Sequence, residues 1–206
     1  MINDAYRFIL PLLALAALCA YLRLGVAVAV LLLLAVFVGY FFRNPTREIP
    51  ADDKKIVSPA DGRVVRVVSM PRGEGELPGG RSLSIFLNIF DVHVNRAPIR
   101  GELERLEYKR GKFKVAYDEE ASRVNEQNIL TIRGPRTRVV VKQIAGLVAR
   151  RVVCWKRPGN TLERGELFGL IRFGSRVDVL LPAEVKILVK EGDRVKGGSS
   201  VIGEVL

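Results

Sequence analysis

Residues 169–182 read GLIRFGSRVDVLLP, which is two short apolar runs on either side of a Gly-Ser pair. Short apolar runs bounded by small residues predict β-strands. The pair Gly174-Ser175 is by itself typical of a turn, because glycine relieves backbone strain and serine is common in turns. We therefore expect two strands joined by a kink at this pair. A chemical role for this pair would need support from other parts of the sequence.

Outward from this stretch, the polar part of the chain has the pattern of a mainly β domain. Short runs rich in β-branched residues, separated by turn residues, occur at Arg63–Ser69, Arg81–Leu87, Ile129–Arg133, Thr137–Ile144, Leu147–Val153, Val177–Leu181 and Val185–Val189. Seven or more short strands in about 150 residues predict a barrel or a sandwich. Tyr117–Asn125 is the best candidate for a short helix, and Met70–Gly80 is predicted to be a mobile loop or a long turn.

Two segments, Ser58–Val65 and Val189–Gly198, each resemble a hairpin of the biotinyl/lipoyl-type barrels. In those carrier domains a lysine at the hairpin tip bears the cofactor. Neither segment here has the sequence of such a tip, so the resemblance concerns architecture and not a carrier role. The predicted fold class is a barrel-sandwich, biotinyl/lipoyl-like β domain preceded by a transmembrane helical hairpin.

The amino-terminal part of the chain is strongly apolar. The runs Phe8–Leu22 and Leu24–Phe42 contain 15 and 19 residues, and a membrane-spanning helix needs about 20. The second run meets this length and the first is marginal. We predict a helical hairpin; the alternatives are one span with an interfacial segment, or a signal peptide. The signal peptide is disfavoured because Asp4 opposes Arg7 and no small-x-small cleavage site follows.

Basic residues flank the predicted hairpin. Arg7 precedes the first run, and Arg43 and Arg47 follow the second. The positive-inside tendency therefore places both ends of the hairpin in the cytoplasm and the polar domain at the cytoplasmic face of the cell membrane. The predicted organisation is a membrane-anchoring hairpin at 1–42, a proline-containing linker at 43–54 and a β domain at 55–206.

The charge of the chain is concentrated outside the hairpin. Residues 43–206 carry 31 of the 33 basic and 21 of the 22 acidic side chains, and the whole chain has a net charge of +11. Such a surface suits nucleic acid or an anionic membrane. Few aromatic residues and no basic block of the nucleic-acid-binding type favour the membrane and argue against nucleic acid. Cys19 and Cys154 have no disulfide or metal-ligand spacing, so we expect reduced thiols.

His93 and Asp61 are the candidate proton-transfer residues. His93 is the one histidine of the chain and follows a strongly β-forming run. An imidazole titrates near neutral pH and suits proton transfer in both directions, although a structural role is an equal alternative. Asp61 lies in a Pro-Ala-Asp-Gly sequence, where ordinary turn chemistry is the simpler interpretation. No zinc, nucleotide or phosphate-loop motif is present.

Together these features resemble the short-type phosphatidylserine decarboxylases. The resemblance covers nearly the whole chain in the same order: two apolar amino-terminal segments, the Phe-Phe-Arg-Asn-Pro junction, Ser58–Gly62, Asp91–Pro98, Asn125–Asn128, Gln143–Gly146 and Arg172–Ser175. An ordered set of this kind is far more specific than any one of its members.

The resemblance implies that the proenzyme cuts itself between Gly174 and Ser175. Ser175 then becomes an amino-terminal pyruvoyl group, and the chain becomes a larger fragment and a smaller one of 32 residues. The pyruvoyl forms a Schiff base with the amine of phosphatidylserine and acts as the electron sink for decarboxylation, in place of pyridoxal phosphate and without a metal. His93 and Asp61 are then the expected catalytic partners. A homodimer is usual for the family.

One position departs from the pattern of longer family members. They carry a His-x-x-His pair in this region, whereas this chain reads His93-Val94-Asn95-Arg96. Either His93 serves both self-cleavage and decarboxylation, or an acid such as Asp61 or Asp91 takes one role. Arg96 is unsuited as a base because its guanidinium stays protonated. Arg96, with Asn95, is instead a candidate to bind the phosphate or the carboxylate of the substrate.

Three alternative functions stay open at this point. A non-enzymatic, membrane-anchored barrel adaptor would give a single intact chain. A pyruvoyl decarboxylase of a soluble amino acid would leave the apolar hairpin without a purpose. An archaetidylserine decarboxylase would use the same headgroup chemistry on an ether lipid.

Overall fold

The computed structural model describes residues 2–70, 77, 79–114, 121–147, 151–172 and 175–206. The chain divides into two compact units, Met1–Thr46 and Arg47–Leu206. The boundary between the units lies within the segment 43–54, where the composition changes from apolar to charged.

Two apolar helices form the first unit. A 3₁₀ turn at Asn3–Ala5 continues into α1 (Tyr6–Tyr21), and α2 spans Gly25–Phe41. The chain reverses at Arg23, which has a left-handed φ of 57°, and Leu24 N donates to Cys19 O at 2.9 Å. A left-handed residue with such a bond is a common way to end a helix.

The lengths of the two helices differ from the expectation. Asn3–Tyr21, with 19 residues, is long and apolar enough to cross a membrane, whereas Gly25–Phe41 is a shorter apolar helix. The sequence favoured the second run as the better span. The order changes because the 3₁₀ turn lengthens the first helix, while Leu24 and Phe42 are caps that lie outside the second. An apolar amino-terminal helix is consistent with membrane association.

The second unit is mainly β, as predicted. Its strands are β1 (Lys55–Val57), β2 (Gly62–Ser69), β3 (Arg81–Leu87), β4 (Val94–Arg96), β5 (Gly101–Lys109), β6 (Gln127–Arg133), β7 (Arg138–Ala145), β8 (Val152–Cys154), β9 (Thr161–Leu162), β10 (Leu167–Ile171), β11 (Ser175–Leu181), β12 (Val185–Ile187), β13 (Arg194–Val195) and β14 (Val201–Val205). A short helix, α3 (Ala121–Val124), precedes β6.

The strands form one large and two small sheets. The large sheet has the order β13-β2-β3-β11-β7-β6-β5-β9, and the small sheets have the orders β1-β14-β12 and β4-β10-β8. All the pairings between these strands are antiparallel. β11 therefore lies in the interior of the large sheet, between β3 and β7.

Side chains of β11 alternate between two environments, as a strand requires. Val177, Val179 and Leu181 belong to the main hydrophobic core, which also contains Leu83 and Ile85 of β3. Arg176 and Asp178 face the other side of the sheet, where their side chains form a buried ion pair with Nε–Oδ1 at 2.6 Å. Ser175 has the same parity as the core residues, so its side chain belongs to the core face.

The predicted strands agree with the structure to different degrees. Arg81–Leu87 has the same bounds, and the other strands are shifted by a few residues at their ends. The prediction gave no strand at β1, β4, β5, β9 or β14; the longest of these is β5, a charged strand whose register shifts between Leu103 and Arg105. Most of the predicted loop Met70–Gly80, the middle of Leu147–Val153 and the first part of Tyr117–Asn125 lie outside the described residues.

Candidate active site

Ser175 is the first residue of β11. It pairs with Leu87 and Ala145, which are the last residues of β3 and β7. Ser175 is fully buried, and its Oγ has no hydrogen-bond partner among the described residues. A buried hydroxyl without a partner costs about 1–3 kcal/mol, so its retention calls for an explanation. Gly174, the residue predicted to precede the cut, lies outside the described residues.

His93 is fixed beside the strand that leads to Ser175. Ile171, the last residue of β10, donates its N–H to His93 O at 3.2 Å. The His93 side chain is 2% exposed, and its Nδ1 lies 3.0 Å from Asp91 O. Because a carbonyl only accepts hydrogen bonds, this contact assigns the proton of a neutral imidazole to Nδ1 and the basic lone pair to Nε2.

Asn95 lies in a buried chain of amide side chains. Gln143 Nε2 donates to Asn95 Oδ1 at 2.8 Å, and Asn128 Nδ2 donates to Gln143 Oε1 at 3.0 Å. The three residues come from β4, β7 and β6. The chain of hydrogen bonds therefore connects the small sheet that carries His93 to the large sheet that carries Ser175. Among the described residues Asn95 Nδ2 has no partner, which leaves one buried donor available.

Gly169 of β10 explains how the two sheets approach so closely. A Cβ at this position would lie 2.1 Å from Val153 O and 2.9 Å from Gln143 Nε2. Contacts of that length are not tolerated by real side chains, so only glycine lets β10 pack against β8 and the Gln143 amide. The position of β10 in turn sets where the segment before Ser175 begins.

Asn125 holds the strand end opposite Ser175. Its Nδ2 donates to Ala145 O at 2.7 Å and to Lys114 O at 2.8 Å, while its Oδ1 accepts from Lys114 N at 2.9 Å. Asn125 is 1% exposed. Since Ala145 pairs with Ser175, Asn125 is a positioning residue for the candidate nucleophile.

Asp61 belongs to a second cluster, with two arginines. Arg47 Nη2 donates to Oδ1 and Oδ2 of Asp61 at 2.9 and 2.7 Å, and Gly197 N donates to Oδ1 at 2.8 Å. Burial raises the pKa of the Asp61 carboxyl, and the Gly197 amide and the Arg47 guanidinium lower it by less. The backbone of the turn after β13 therefore contributes one hydrogen bond to this carboxylate.

Arg96 is fixed close to Asp61. Its backbone N donates to Pro59 O at 2.9 Å, and its Nη1 donates to Gly165 O at 2.7 Å. Burial lowers the pKa of Arg96, the charge of Arg47 lowers it further, and Asp61 raises it. The charges of Arg47 and Asp91 both reach Asp61, and those of Arg47 and Asp61 reach Arg96. The planar guanidinium of Arg96 suits an anionic group of a ligand.

Three of the predicted residues lie in β4 or directly before it. His93 directly precedes this strand, Asn95 lies within it and Arg96 ends it. His93 is joined to the segment before Ser175, and Arg96 to the loop that carries Asp61. Sequence reasoning quoted Asn125 and Gln143 as parts of motifs but gave them no role. The feature of the sequence that could have identified these two residues is a neutral polar side chain within or next to a buried β run.

Comparison with known proteins identifies the family of the chain. A family model described as phosphatidylserine decarboxylase matches residues 34–203. The chain is 51% identical over 206 residues to the phosphatidylserine decarboxylase proenzyme of Solibacter usitatus, a match that covers 100% of this chain and 97% of the relative.

Two further relatives have the same printed name. The proenzyme of Symbiobacterium thermophilum is 48% identical, with 98% of this chain and 94% of the relative covered. That of Carboxydothermus hydrogenoformans is 43% identical, with 100% and 96% covered. These matches confirm the resemblance read from the motifs, and they span the helices as well as the β unit. The chain belongs to the phosphatidylserine decarboxylase family.

Proposed function

We propose that this chain is a proenzyme that becomes a phosphatidylserine decarboxylase by cutting itself at Gly174-Ser175, and that it then converts phosphatidylserine to phosphatidylethanolamine. The observation that carries the proposal is the Ser175 hydroxyl, which is fully buried and has no hydrogen-bond partner among the described residues. A buried hydroxyl without a hydrogen-bond partner lowers the stability of the fold. Its presence at the start of a strand fits a side chain that reacts during self-cleavage.

Self-cleavage begins with the side chain of Ser175. Its Oγ attacks the carbonyl carbon of Gly174, the C–N bond breaks and an ester replaces the peptide bond. Removal of the Ser175 α-proton expels the Gly174 carboxylate and leaves a dehydroalanine. The enamine tautomerises to an imine, and water hydrolyses the imine to a ketone and ammonia. The products are a carboxylate at Gly174 and a pyruvoyl group at the new amino terminus.

His93 is the proposed base for the proton steps. The backbone carbonyl of His93 accepts a hydrogen bond from the N–H of Ile171, so the histidine backbone is fixed next to the segment that is cut. The contact of Nδ1 with Asp91 O sets the tautomer and leaves Nε2 to take and return a proton. Because this histidine is alone in the chain, we assign it a role in both self-cleavage and decarboxylation.

The Asp61 cluster is the proposed electrostatic part of the site. Arg96, with its pKa lowered by burial and by Arg47, is assigned to the phosphate or carboxylate of the lipid headgroup. Asp61 accepts hydrogen bonds from Arg47 and Gly197, which keep Arg47 in place, and its charge acts on Arg96. Asn95, with one buried amide donor, is assigned to orienting the headgroup. The pyruvoyl ketone supplies the electron sink for the carbanion that loss of carbon dioxide creates.

The finer features of the fold and location are also proposals. We assign a biotinyl/lipoyl-like barrel-sandwich to the β domain at 55–206, because β13 pairs with β2 and Gly197 reaches Asp61, so the two hairpin-like segments lie together. The helices of residues 1–42 form the membrane anchor and 43–54 the linker. Arg7, Arg43 and Arg47 flank the apolar runs, and this distribution of basic residues supports a β domain on the cytoplasmic side.

The test is mass spectrometry of the purified chain under denaturing conditions. The natural sequence should give two fragments that meet at residues 174 and 175, with a ketone in place of the amine on the smaller one. Ser175→Ala should give one intact chain without activity. Ser84→Ala is the matched control, because Ser84 is a buried serine of the adjacent strand and pairs with Asp178. Two fragments from Ser175→Ala would refute the assignment.

A further inference from the structure

One end of the large sheet combines the site with exposed apolar and basic side chains. We call it the site end: it is the end at which β11 begins at Ser175. Since the strands are antiparallel, β3 ends there at Leu87, β7 at Ala145 and β5 at Lys109. The turn at Gly134–Thr137, between β6 and β7, marks the opposite end of the same sheet.

Exposed apolar side chains gather at the site end. The described part of Arg47–Leu206 exposes eight large hydrophobic side chains, and four belong to segments at this end: Ile89, Phe90, Tyr108 and Leu147. Phe90 is 63% exposed and Leu147 is 60% exposed. A soluble surface rarely collects aromatic and aliphatic groups around a site unless an apolar partner covers them.

The turn that carries Ile89 and Phe90 is held in shape by its own hydrogen bonds. Asn88 N donates to Asp91 Oδ2 at 2.7 Å, Phe90 N donates to Asn88 Oδ1 at 3.1 Å, and Asp91 N donates to Asn88 O at 2.9 Å. The two apolar side chains are therefore presented at the tip of an ordered turn. The same turn ends at Asp91, whose carbonyl contacts His93.

Basic residues surround these apolar groups. Residues 108–114 read YKRGKFK, with four basic residues, two aromatic residues and no acid. Lys109, Arg110 and Lys112 are exposed, as is Arg151. Aromatic side chains interleaved with lysine and arginine are typical of segments that lie in the headgroup region of a membrane. Each basic residue near an anionic leaflet contributes attraction to the lipid.

We propose that the site end docks on the surface of an anionic phospholipid bilayer, with the Ile89–Phe90 tip inserted among the headgroups and Lys109, Arg110 and Lys112 against the lipid phosphates. This inference rests on the proposed function, since it explains how a site at the start of β11 reaches a headgroup that stays in the bilayer. In the sequence Phe90 is one residue from Asp91 and three residues from His93, so docking of the tip also brings the lipid towards the proposed base.

The first experiment measures insertion of the tip. Trp155 is the one tryptophan of the chain, so Phe90→Trp is introduced in a Trp155→Phe background and the full chain is reconstituted into vesicles. Some vesicles contain lipids brominated on the acyl chains, which quench a nearby indole. Arg136→Trp in the same background is the control, because Arg136 is exposed at the opposite end of the sheet.

The expected result is strong quenching and a blue shift for Phe90→Trp, with little of either for Arg136→Trp. Equal quenching for the two positions would overturn the proposal. The two readouts stay separate, because fragment formation and turnover in detergent micelles report the proposed function, and quenching reports docking. If turnover is intact and the indole of Phe90→Trp is not quenched, the docking proposal is refuted and the proposed function is not.

The second experiment measures how the basic residues of the site end affect KM for phosphatidylserine in vesicles. Replacing Lys109, Arg110 and Lys112 by Gln should raise KM for phosphatidylserine in anionic vesicles at low salt by at least about fivefold, with kcat in detergent micelles unchanged. The matched control replaces Arg81, Arg100 and Arg136 by Gln. These three residues are exposed at the opposite end of the sheet, and their replacement removes the same amount of charge. An equal rise in KM for both triple variants would show a net-charge effect and overturn the assignment to the site end.

Discussion

Removing Arg47 should destabilise the β unit in a way that depends on pH. Arg47 and Asp61 are 11% and 15% exposed in their side chains and form two hydrogen bonds. Loss of one partner of a buried ion pair costs about 3–5 kcal/mol, since the other charge stays buried without compensation. Because both groups keep some contact with solvent, we expect about 3 kcal/mol for Arg47→Ala.

The pH dependence follows from the raised pKa of Asp61 in the folded protein. A carboxyl with a raised folded pKa favours the fold below its unfolded pKa of about 3.9, and this contribution is lost as the pH rises through the folded value. Arg47 is one of the groups that lower this pKa. Without Arg47 the folded pKa rises further, so the penalty for Arg47→Ala should be large at pH 8 and small at pH 4.5.

The assay is urea unfolding of the full chain in detergent, followed by Trp155 fluorescence. A Ser175→Ala background keeps the chain in one piece. Arg105→Ala is the control, because Arg105 pairs with Glu107 at an exposed site and should cost less than about 1 kcal/mol. A penalty for Arg47→Ala that is equal at both pH values would refute the proposed coupling to Asp61, as would one no larger than that of Arg105→Ala.

Three further changes address the site itself. His93→Gln should slow self-cleavage and turnover by at least about 100-fold each, measured by gel time course and by carbon dioxide release; loss of turnover alone would assign the cleavage base elsewhere. Asn125→Ala removes three hydrogen bonds, one of them to Ala145 O, and should slow cleavage and cost about 3 kcal/mol in the same urea assay; normal cleavage would exclude a positioning role. Gly169→Ala should block cleavage, because the new Cβ would lie 2.1 Å from Val153 O. Gly159→Ala is its control: Gly159 has open space around it and a φ of 88°. This control should lower the free energy of unfolding by about 1 kcal/mol and leave cleavage intact.

Strands with regular alternation could be predicted from the sequence. β3 was predicted with the same bounds because its Leu-Ser-Ile-Phe-Leu pattern places alternate residues in the core. β5 was missed because its register shift between Leu103 and Arg105 interrupts the alternation that identifies a strand. Its charged residues also face solvent on one side, so composition alone gives no strand signal.

The candidate site could be predicted as a set of residues but not as a geometry. The flanking apolar runs by themselves predict only a turn at Ser175, and the resemblance to the family gave this residue its role; His93 stood out as the one histidine beside a strand end. The partners of Asp61 could not be found in the same way. Arg47 lies 14 residues away and Gly197 lies 136 residues away, and their approach depends on how β2 pairs with β13.

The position of the proposed cut explains how the protein can survive it. β11 pairs with β3 at seven positions and with β7 at six, and all seven of its residues are buried. Downstream of the cut, β13 pairs with β2 and β14 pairs with β1. Cleavage before Ser175 removes one peptide bond and, with the release of ammonia, the N–H of Ser175. It leaves the pairings of residues 176–181 in place, so the smaller fragment should stay bound by the sheet and the core. A nucleophile at the first residue of an interior strand lets the new chain end form inside an intact domain, where the pyruvoyl group needs to be.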